Sequence, residues 1–198
     1  MDMALDALSD VSDEALLVLY ANGDRGAARA LTLRLTPRML GYATRLLGDR
    51  TEAEDIAQDA MMRLWRIAPD WRQGEAKVTT WLYRVVTNLC SDRRRMRQRR
   101  RLSALDDAPD LEDGAPGAVA ALIEADRMAA LTAALDELPD RQREAVVLRH
   151  IEGLTNPEIA AVMDIGVEAV ESLTARGKRA LARLLSHRRG ELGYDEGK

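Results

Sequence analysis

Phenylalanine is absent from this sequence of 198 residues, and cysteine and histidine are almost absent. Cys90 is the single cysteine, and His150 and His187 are the two histidines. One cysteine excludes an intrachain disulfide, and with only two distant histidines it does not supply the ligands of a typical zinc site. We therefore expect no metal and no cofactor, and we interpret Cys90 as a small buried apolar residue.

Long apolar runs are also missing. No stretch approaches the roughly 20 apolar residues that a membrane-spanning helix needs. The first fourteen residues, MDMALDALSDVSDE, are acidic where a secretory signal would be basic. The sequence therefore predicts a cytoplasmic protein without membrane insertion.

The residues that are abundant favour helices. Apolar residues make up 46% and charged residues 31%, the mix of a folded protein. Ala, Leu, Arg and Glu dominate, which favours helix over strand. We predict an all-α protein.

Charge is distributed unevenly along the chain. The net charge of -4 by itself argues against nucleic-acid binding, but seven of the nine residues at 93–101 are arginine. The following stretch, 102–126, contains seven acids and no base. The small net charge therefore conceals one strongly basic segment and one strongly acidic segment.

Two prolines, two glycines and three of those acids lie at 108–121, a composition that cannot bury a core. This indicates a flexible acidic linker between two small helical domains. The predicted division is an N-terminal extension at 1–23, a first domain at 24–101, the linker at 102–126, a second domain at 127–186 and a tail at 187–198.

Periodicity and capping signals place the helices. In the first domain we expect helices at 13–21, at 24–47 with a kink or break at Pro37, from a Thr51-x-x-Glu54 capping box to Pro69, and from Thr79 or Thr80 into the arginine run. In the second we expect helices at 127–138 and 140–151, then a third opened by a capping box from Thr155 to Glu158.

The segment 154–181 has the pattern of a helix-turn-helix, with Ala160 as the small residue where the helices approach. Its second helix can lie in a DNA major groove. Arg176 and Lys178 are the best candidates for phosphate or guanine contacts. An ordinary helical hairpin with a solvated face is the alternative. The predicted outward face comprises Glu168, Glu171, Ser172, Thr174, Ala175, Arg176, Lys178 and Arg179.

The arginine run continues a helix that carries Trp81, Tyr83 and Asn88. Cations that neutralise phosphates, together with aromatic and amide groups that engage unstacked bases, suit single-stranded nucleic acid. The alternative is a solvated basic tail, and for Trp81 alone we prefer packing in the core.

Asp55 and Asp59 lie one helical turn apart, near Gln58, Met62 and Arg63 and opposite an apolar stripe. Without a third ligand or a histidine nearby, this face fits a basic protein partner better than a metal. A merely solvated face is the alternative.

The order of these segments resembles the extracytoplasmic-function sigma factors over about 24–185. The motif DRGA at 24–27 resembles the opening of sigma region 2, and AEDIAQD at 53–59 with RLW at 63–65 resembles its polymerase-binding helix. TWLYR at 80–84, Asn88 and DRRR at 92–95 resemble the part that melts and reads the −10 element. The segments 135–148 and 158–172 resemble region 4, which reads the −35 element.

The resemblance implies a non-enzymatic factor that binds core RNA polymerase and promoter DNA, acts in responses such as stress, and is commonly controlled by an anti-sigma factor. It places Asp55, Gln58 and Arg63, with Asp59 and Met62 beside them, on the polymerase. It places Asn88 near a flipped −10 base with Tyr83 beside it. The full −10 set is Trp81, Tyr83, Arg84, Asn88, Arg93, Arg94 and Arg95.

Three residues depart from the family pattern: Asp164 replaces a turn glycine, Gly166 a serine cap, and Glu171 a common lysine. Two rival interpretations remain. One is a two-component or quorum-type regulator that binds duplex DNA unaided through the helix-turn-helix. The other is a small helical enzyme that uses Asp55 and Asp59 with a metal.

Overall fold

The computed structural model describes residues 8–72, 74, 76–103 and 119–186. In these residues it contains eight α-helices and no strand, which confirms the all-α prediction. The helices are α1 (Asp13–Ala21), α2 (Arg25–Leu47), α3 (Arg50–Ile67), α4 (Val78–Ser103), α5 (Val119–Asp136), α6 (Asp140–Val146), α7 (Asn156–Met163) and α8 (Val167–Ser186). A 3-10 turn, Ala68–Asp70, follows α3, and a π-helical segment, Val147–Ile151, follows α6.

Helices α1–α4 form an N-terminal unit in which α2 packs against the other three. Leu31, Leu35 and Met39 of α2 are fully buried with Leu64 of α3 and Leu82 of α4. Burial of this apolar surface is the main force that holds the unit together. Helix α1, assigned to an extension by the sequence, is part of this core through Leu16 and Leu17.

The starts of α3 and α4 differ from the sequence prediction because other acids bind their first amides. Asp24 is the N-cap of α2, which begins one residue after the predicted start, and the N-cap of α3 is Asp49, whose carboxylate accepts from the Glu52 amide at 3.0 Å. The predicted Thr51 and Glu54 capping box is therefore wrong. At the start of α4, the Val78 amide donates to the Glu14 carboxylate of α1 at 3.0 Å, and neither Thr79 nor Thr80 begins the helix.

Pro37 lies inside α2 without dividing it. Pro37 and Leu33, whose carbonyl loses its helical partner, are both on the exposed side. Water can hydrate that carbonyl there, so the lost hydrogen bond does not end the helix.

Helices α5–α8 form a C-terminal unit in which α8 packs against the other three. Helix α5 begins at Val119 rather than at residue 127, so it takes in part of the predicted linker. Residues 104–118, with five of the predicted linker acids, lie outside the described residues, as does the predicted tail.

The helix-turn-helix is present, with the predicted capping box intact. The Thr155 amide donates to Glu158 at 2.9 Å, and the Glu158 amide donates back to the Thr155 hydroxyl. Asp164 ends α7 in the left-handed conformation, with φ of 54°. A glycine-like turn is thus kept, because aspartate tolerates this conformation better than most residues.

The two units are not separate. Their buried apolar residues form one continuous cluster, and α4 packs against α7 while α2 packs against α5 and α6. None of the described helices is both long and apolar enough to cross a membrane.

Candidate nucleic-acid interface

The outer face of α3 is exposed and mixed in character. Asp55, Gln58 and Met62 point outward, and Met62 is 52% exposed although apolar. Arg63 donates to both carboxylate oxygens of Asp59, at 3.2 and 3.0 Å. An exposed methionine beside a fixed ion pair is a typical composition for a protein contact surface.

A metal centre is not formed on this face. Within the described part of the chain, no group of three or more His, Cys, Asp or Glu side chains is placed to hold an ion. The metal-dependent enzyme therefore gains no support from the geometry.

Asn88 and Arg84 are exposed on α4 and point into a cleft of about 450 Å³. Arg95 also lines this cleft, and Arg141 and Asp164 of the C-terminal unit lie among its other lining residues. Three of the predicted −10 residues therefore share one surface, and that surface faces the other unit.

Tyr83 does not belong to that surface, which corrects the prediction that it lies beside a DNA base. Its side chain is fully buried, and its ring meets Tyr42 edge-on, with centroids 5.0 Å apart. Its hydroxyl donates to Glu152 at 2.5 Å and accepts from Arg38 at 3.1 Å. Burial, followed by the Glu152 hydrogen bond, raises the pKa of Tyr83, so the hydroxyl remains protonated.

Trp81 combines both interpretations that the sequence left open. It is half-buried against the core and meets Trp71 edge-on at 6.1 Å. The two indoles also line a recess of about 260 Å³ with Ile67 and Asp70. The Trp81 ring is therefore fixed by packing and still borders an open recess.

The arginine run is divided between structural and surface roles. Arg97 bonds Asp49 at 2.8 Å, Glu52 at 3.0 Å and the Leu47 carbonyl at 3.2 Å, and Arg93 lies 3.7 Å from Glu52. These two arginines brace the junction between α2 and α3. Arg93 is therefore less available to DNA than predicted. Asp49 and Glu52 are the residues from which this pairing could have been predicted.

Arg94 and Arg95 of the same run differ from these two arginines and from each other. Arg94 pairs with Asp140 of the C-terminal unit at 2.8 Å. Arg95 pairs only loosely with Asp92 at 3.4 Å and keeps 70% of its side chain exposed. Arg95 is thus the member of the predicted −10 set best placed to neutralise a phosphate.

The outward face of α8 largely matches the prediction. Glu168, Glu171, Ser172, Ala175, Arg176, Lys178 and Arg179 are exposed. Thr174 is the exception, because it is half-buried with its hydroxyl oxygen inside, and we remove it from the face. The Glu171 carboxylate accepts a hydrogen bond from the Asn156 side-chain amide at 3.4 Å. This acid, which stands where the family usually has lysine, therefore already has one partner.

Comparison with known proteins decides between the interpretations. The family model for Sigma-70 region 2 matches residues 31–100, and that for Sigma-70, region 4 matches residues 128–181. The chain is 35% identical to the ECF RNA polymerase sigma factor SigE of Mycolicibacterium smegmatis, over 88% of this chain and 68% of that protein. It is 30% identical to the RNA polymerase sigma-H factor of Pseudomonas aeruginosa, over 90% and 96%.

The chain belongs to the extracytoplasmic-function sigma factors. Among solved structures, it is similar to CnrH in complex with the cytosolic domain of CnrY, with a TM-score of 0.65, 27% identity and coverage of 88% of this chain and 97% of that one. As a sigma factor it acts in transcription initiation with core RNA polymerase on promoter DNA, and it is not an enzyme. The operator-binding regulator and the metal enzyme are set aside.

Proposed function

We propose that this sigma factor divides its work among three helix faces. The outer face of α3, with Asp55, Gln58, Met62 and Arg63, docks on the polymerase. Helix α4 reads and opens the −10 element with Arg84, Asn88 and Arg95, while α8 reads the −35 element. The observation that carries this proposal is that each set is exposed on a single helix face of the matched sigma regions.

The chemistry of α4 suits strand opening. Asn88 offers an amide that can pair with the edge of an unstacked base, and Arg84 and Arg95 can hold the backbone on either side. Extruding a base costs a few kcal/mol, least where the duplex is weak, so a residue that stabilises the extruded base also selects the site of opening.

Helix α8 is suited to duplex DNA. Arg176 and Lys178 are exposed on its outer face, and Arg176 is steadied by a bond from its Nε to the Ser172 carbonyl at 3.3 Å. A guanidinium held in this way can contact a guanine edge or a phosphate in the major groove.

Transcription in vitro with purified core polymerase tests the assignment. We expect Asn88→Ala to bind promoters and to lose strand opening, measured by the fluorescence of a base analogue in the −10 element. We expect Arg176→Ala to lose about tenfold in promoter affinity only when the −35 element is present. The matched controls Thr32→Ala and Arg25→Ala change exposed residues of α2.

Both variants matching wild type would remove the site assignments. Loss of activity in the two α2 controls to the same degree would also remove them, because the effect would then not be specific to the reading helices.

An anti-sigma protein is the further partner that we propose, acting in the cytoplasm. CnrH, of similar fold, was solved with a protein partner, and the same fold occurs in the sigma factor RpoE in complex with the anti-sigma factor NepR from Bartonella quintana (TM-score 0.65, 22% identity). Co-purification of the tagged chain from its host tests this.

A further inference from the structure

The second helix of the helix-turn-helix, α8, is polarised in charge along its length. Its first half carries the acids Glu168 and Glu171, and its first base is Arg176. At a rise of about 1.5 Å per residue, the positions of Glu168 and Arg176 lie about 12 Å apart along the helix axis. The two halves of the helix therefore present opposite charge to DNA. The second half carries the bases Arg176, Lys178, Arg179 and Arg183 and no acid.

The basic half is suited to phosphates. Arg176 and Arg179 each donate from Nε to the backbone carbonyl one turn earlier, at 3.3 Å, which leaves their terminal nitrogens for another acceptor. Among the described side chains, no carboxylate pairs with these two arginines or with Arg183. All three border a groove of about 580 Å³ that also touches Gln142 of α6. Arginines arranged in this way can hold the phosphate backbone of a duplex.

Glu168 lies at the centre of the outward face, at the start of α8. With about 100° per residue, Arg179 lies within about 20° of it around the helix, whereas Glu171 lies about 60° to one side and accepts from Asn156. Glu168 is exposed, and no described side chain donates to its carboxylate. Val167 beside it is 40% exposed although apolar. An acid repels phosphate and a valine can contact a thymine methyl, so this end suits base edges.

The polarity of α8 fits the way in which a recognition helix enters the major groove. Its N-terminal residues meet base edges, and here the arginines that can hold phosphates lie toward the other end. A carboxylate needs a donor on the base edge. Guanine and thymine present only acceptors to it, and adenine places its N7 acceptor beside the N6 amino group. Cytosine offers the N4 amino group without an adjoining acceptor, so it is the base that a carboxylate selects.

We propose that Glu168 reads a cytosine of the −35 element by accepting a hydrogen bond from its N4 amino group, while Arg179 and Arg183 hold nearby backbone phosphates. The inference rests on the proposed function of α8 and adds the base that the helix selects. An acid in the first turn also stabilises a helix through its dipole. That effect does not depend on the DNA sequence, so base preference distinguishes the two roles.

Selection from promoter DNA randomised over the upstream element tests the base, with holoenzyme assembled from the full chain and core polymerase. We expect the wild type to enrich cytosine at one position and Glu168→Ala to lose that enrichment alone. Glu168→Gln should shift the preference to adenine, because a glutamine amide pairs with N6 and N7 of adenine. Replacing the cytosine by thymine should weaken wild-type binding about tenfold and leave Glu168→Ala binding unchanged.

Glu137→Gln is the matched control, because it removes the same charge at an exposed position of the same unit outside α8. We expect this variant to keep the cytosine. A wild type without a cytosine preference that depends on Glu168 would overturn the assignment. A uniform loss of affinity in Glu168→Ala, with the base preference unchanged, would overturn it too, since that is the result of a helix-stabilising role alone.

Arg183→Gln tests the basic half separately. We expect weaker binding to all upstream sequences alike, with the base preference unchanged. The slope of log affinity against log salt concentration should fall in magnitude by about one, because each phosphate contact releases about one counterion. An unchanged slope, or an altered base preference, would refute the phosphate contact.

The wild-type selection separates this inference from the proposed function. If the wild-type holoenzyme enriches an upstream sequence that the Glu168 variants enrich equally, only the cytosine contact is refuted. If it enriches no upstream sequence, the proposed reading of the −35 element by α8 fails as well.

Discussion

Arg95 and Arg97 stand two positions apart on α4 and serve different purposes. Arg97 is held by Asp49 and Glu52, whereas most of the Arg95 side chain is in solvent. Successive residues on a helix are rotated by about 100°, so one arginine meets α3 and the other meets water. The sequence shows a dense cationic run and does not show which members acids from another helix will neutralise.

Tyr83 and Asn88 illustrate the same limit. Both were predicted to face DNA, although five positions rotate their side chains apart by about 140°, and the spacing does not show which of them is buried. Tyr83 is buried because Tyr42 and Glu152 both pack on it, and these partners are distant in sequence. Asn88 faces the cleft.

Cys90 was interpreted as buried, and its side chain is 1% exposed. Burial, followed by the charge of Glu144, raises the pKa of the thiol to about 12. Because only the thiolate is nucleophilic, we expect Cys90 in the native protein at about pH 8 to react with a thiol reagent far more slowly than in denaturant. Equal labelling rates in the two states would contradict this burial.

Helix bounds were predicted well where the signals are local. Helix α1 has the predicted bounds, and the Thr155 capping box is intact, because each depends on residues within one turn. The start of α4 was missed because Glu14 from another helix binds its first amide, and the start of α3 was missed because Asp49, two residues before Thr51, is the cap. The start of α5 was missed because Ala-rich, proline-free sequence after 118 is helical in spite of its acids.

Gly177 marks a close approach of α8 to α6, whereas the small residue predicted from the sequence, Ala160, concerns the approach of α7 to α8. A Cβ atom at Gly177 would lie 2.5 Å from a Val146 methyl and 3.1 Å from the Gln142 carbonyl. We expect Gly177→Ala to lower the free energy of unfolding by about 1–3 kcal/mol through overpacking, measured by urea denaturation.

Gly41→Ala in α2 is the comparison, because only the end of the Arg45 side chain lies close to that site. Replacing a mid-helix glycine by alanine there stabilises the helix by roughly 0.4–1 kcal/mol. Opposite signs at the two glycines support the close approach, and stabilisation at both would refute it.

The arrangement of the whole molecule was the least predictable level. Composition indicated two modules joined by an acidic strap, and the family resemblance supplied their roles. That the modules bury a common cluster depends on matching shapes, on Arg143 reaching Leu46 and on Gly48 leaving room. None of these contacts has a local sequence pattern.

Acid weakens one contact between the units. The Lys77 hydrogen bond, with Thr155, lowers the pKa of Glu158 to about 2 from an ordinary 4.5. Since the folded value is the lower one, the stabilisation is present above 4.5 and is lost as pH falls toward 2. We expect the Lys77–Glu158 coupling energy from a double-mutant cycle with Lys77→Gln and Glu158→Gln to shrink between about pH 6 and about pH 3. A coupling that is constant over this interval would contradict the pair.

The outer face of α8 is exposed in the same arrangement in which the C-terminal unit borders the Asn88 cleft. In this arrangement α8 is open to duplex DNA, while the C-terminal unit narrows the access to the cleft on α4. We therefore expect an order of recognition, in which contact of α8 with upstream duplex DNA precedes melting of the strands at α4.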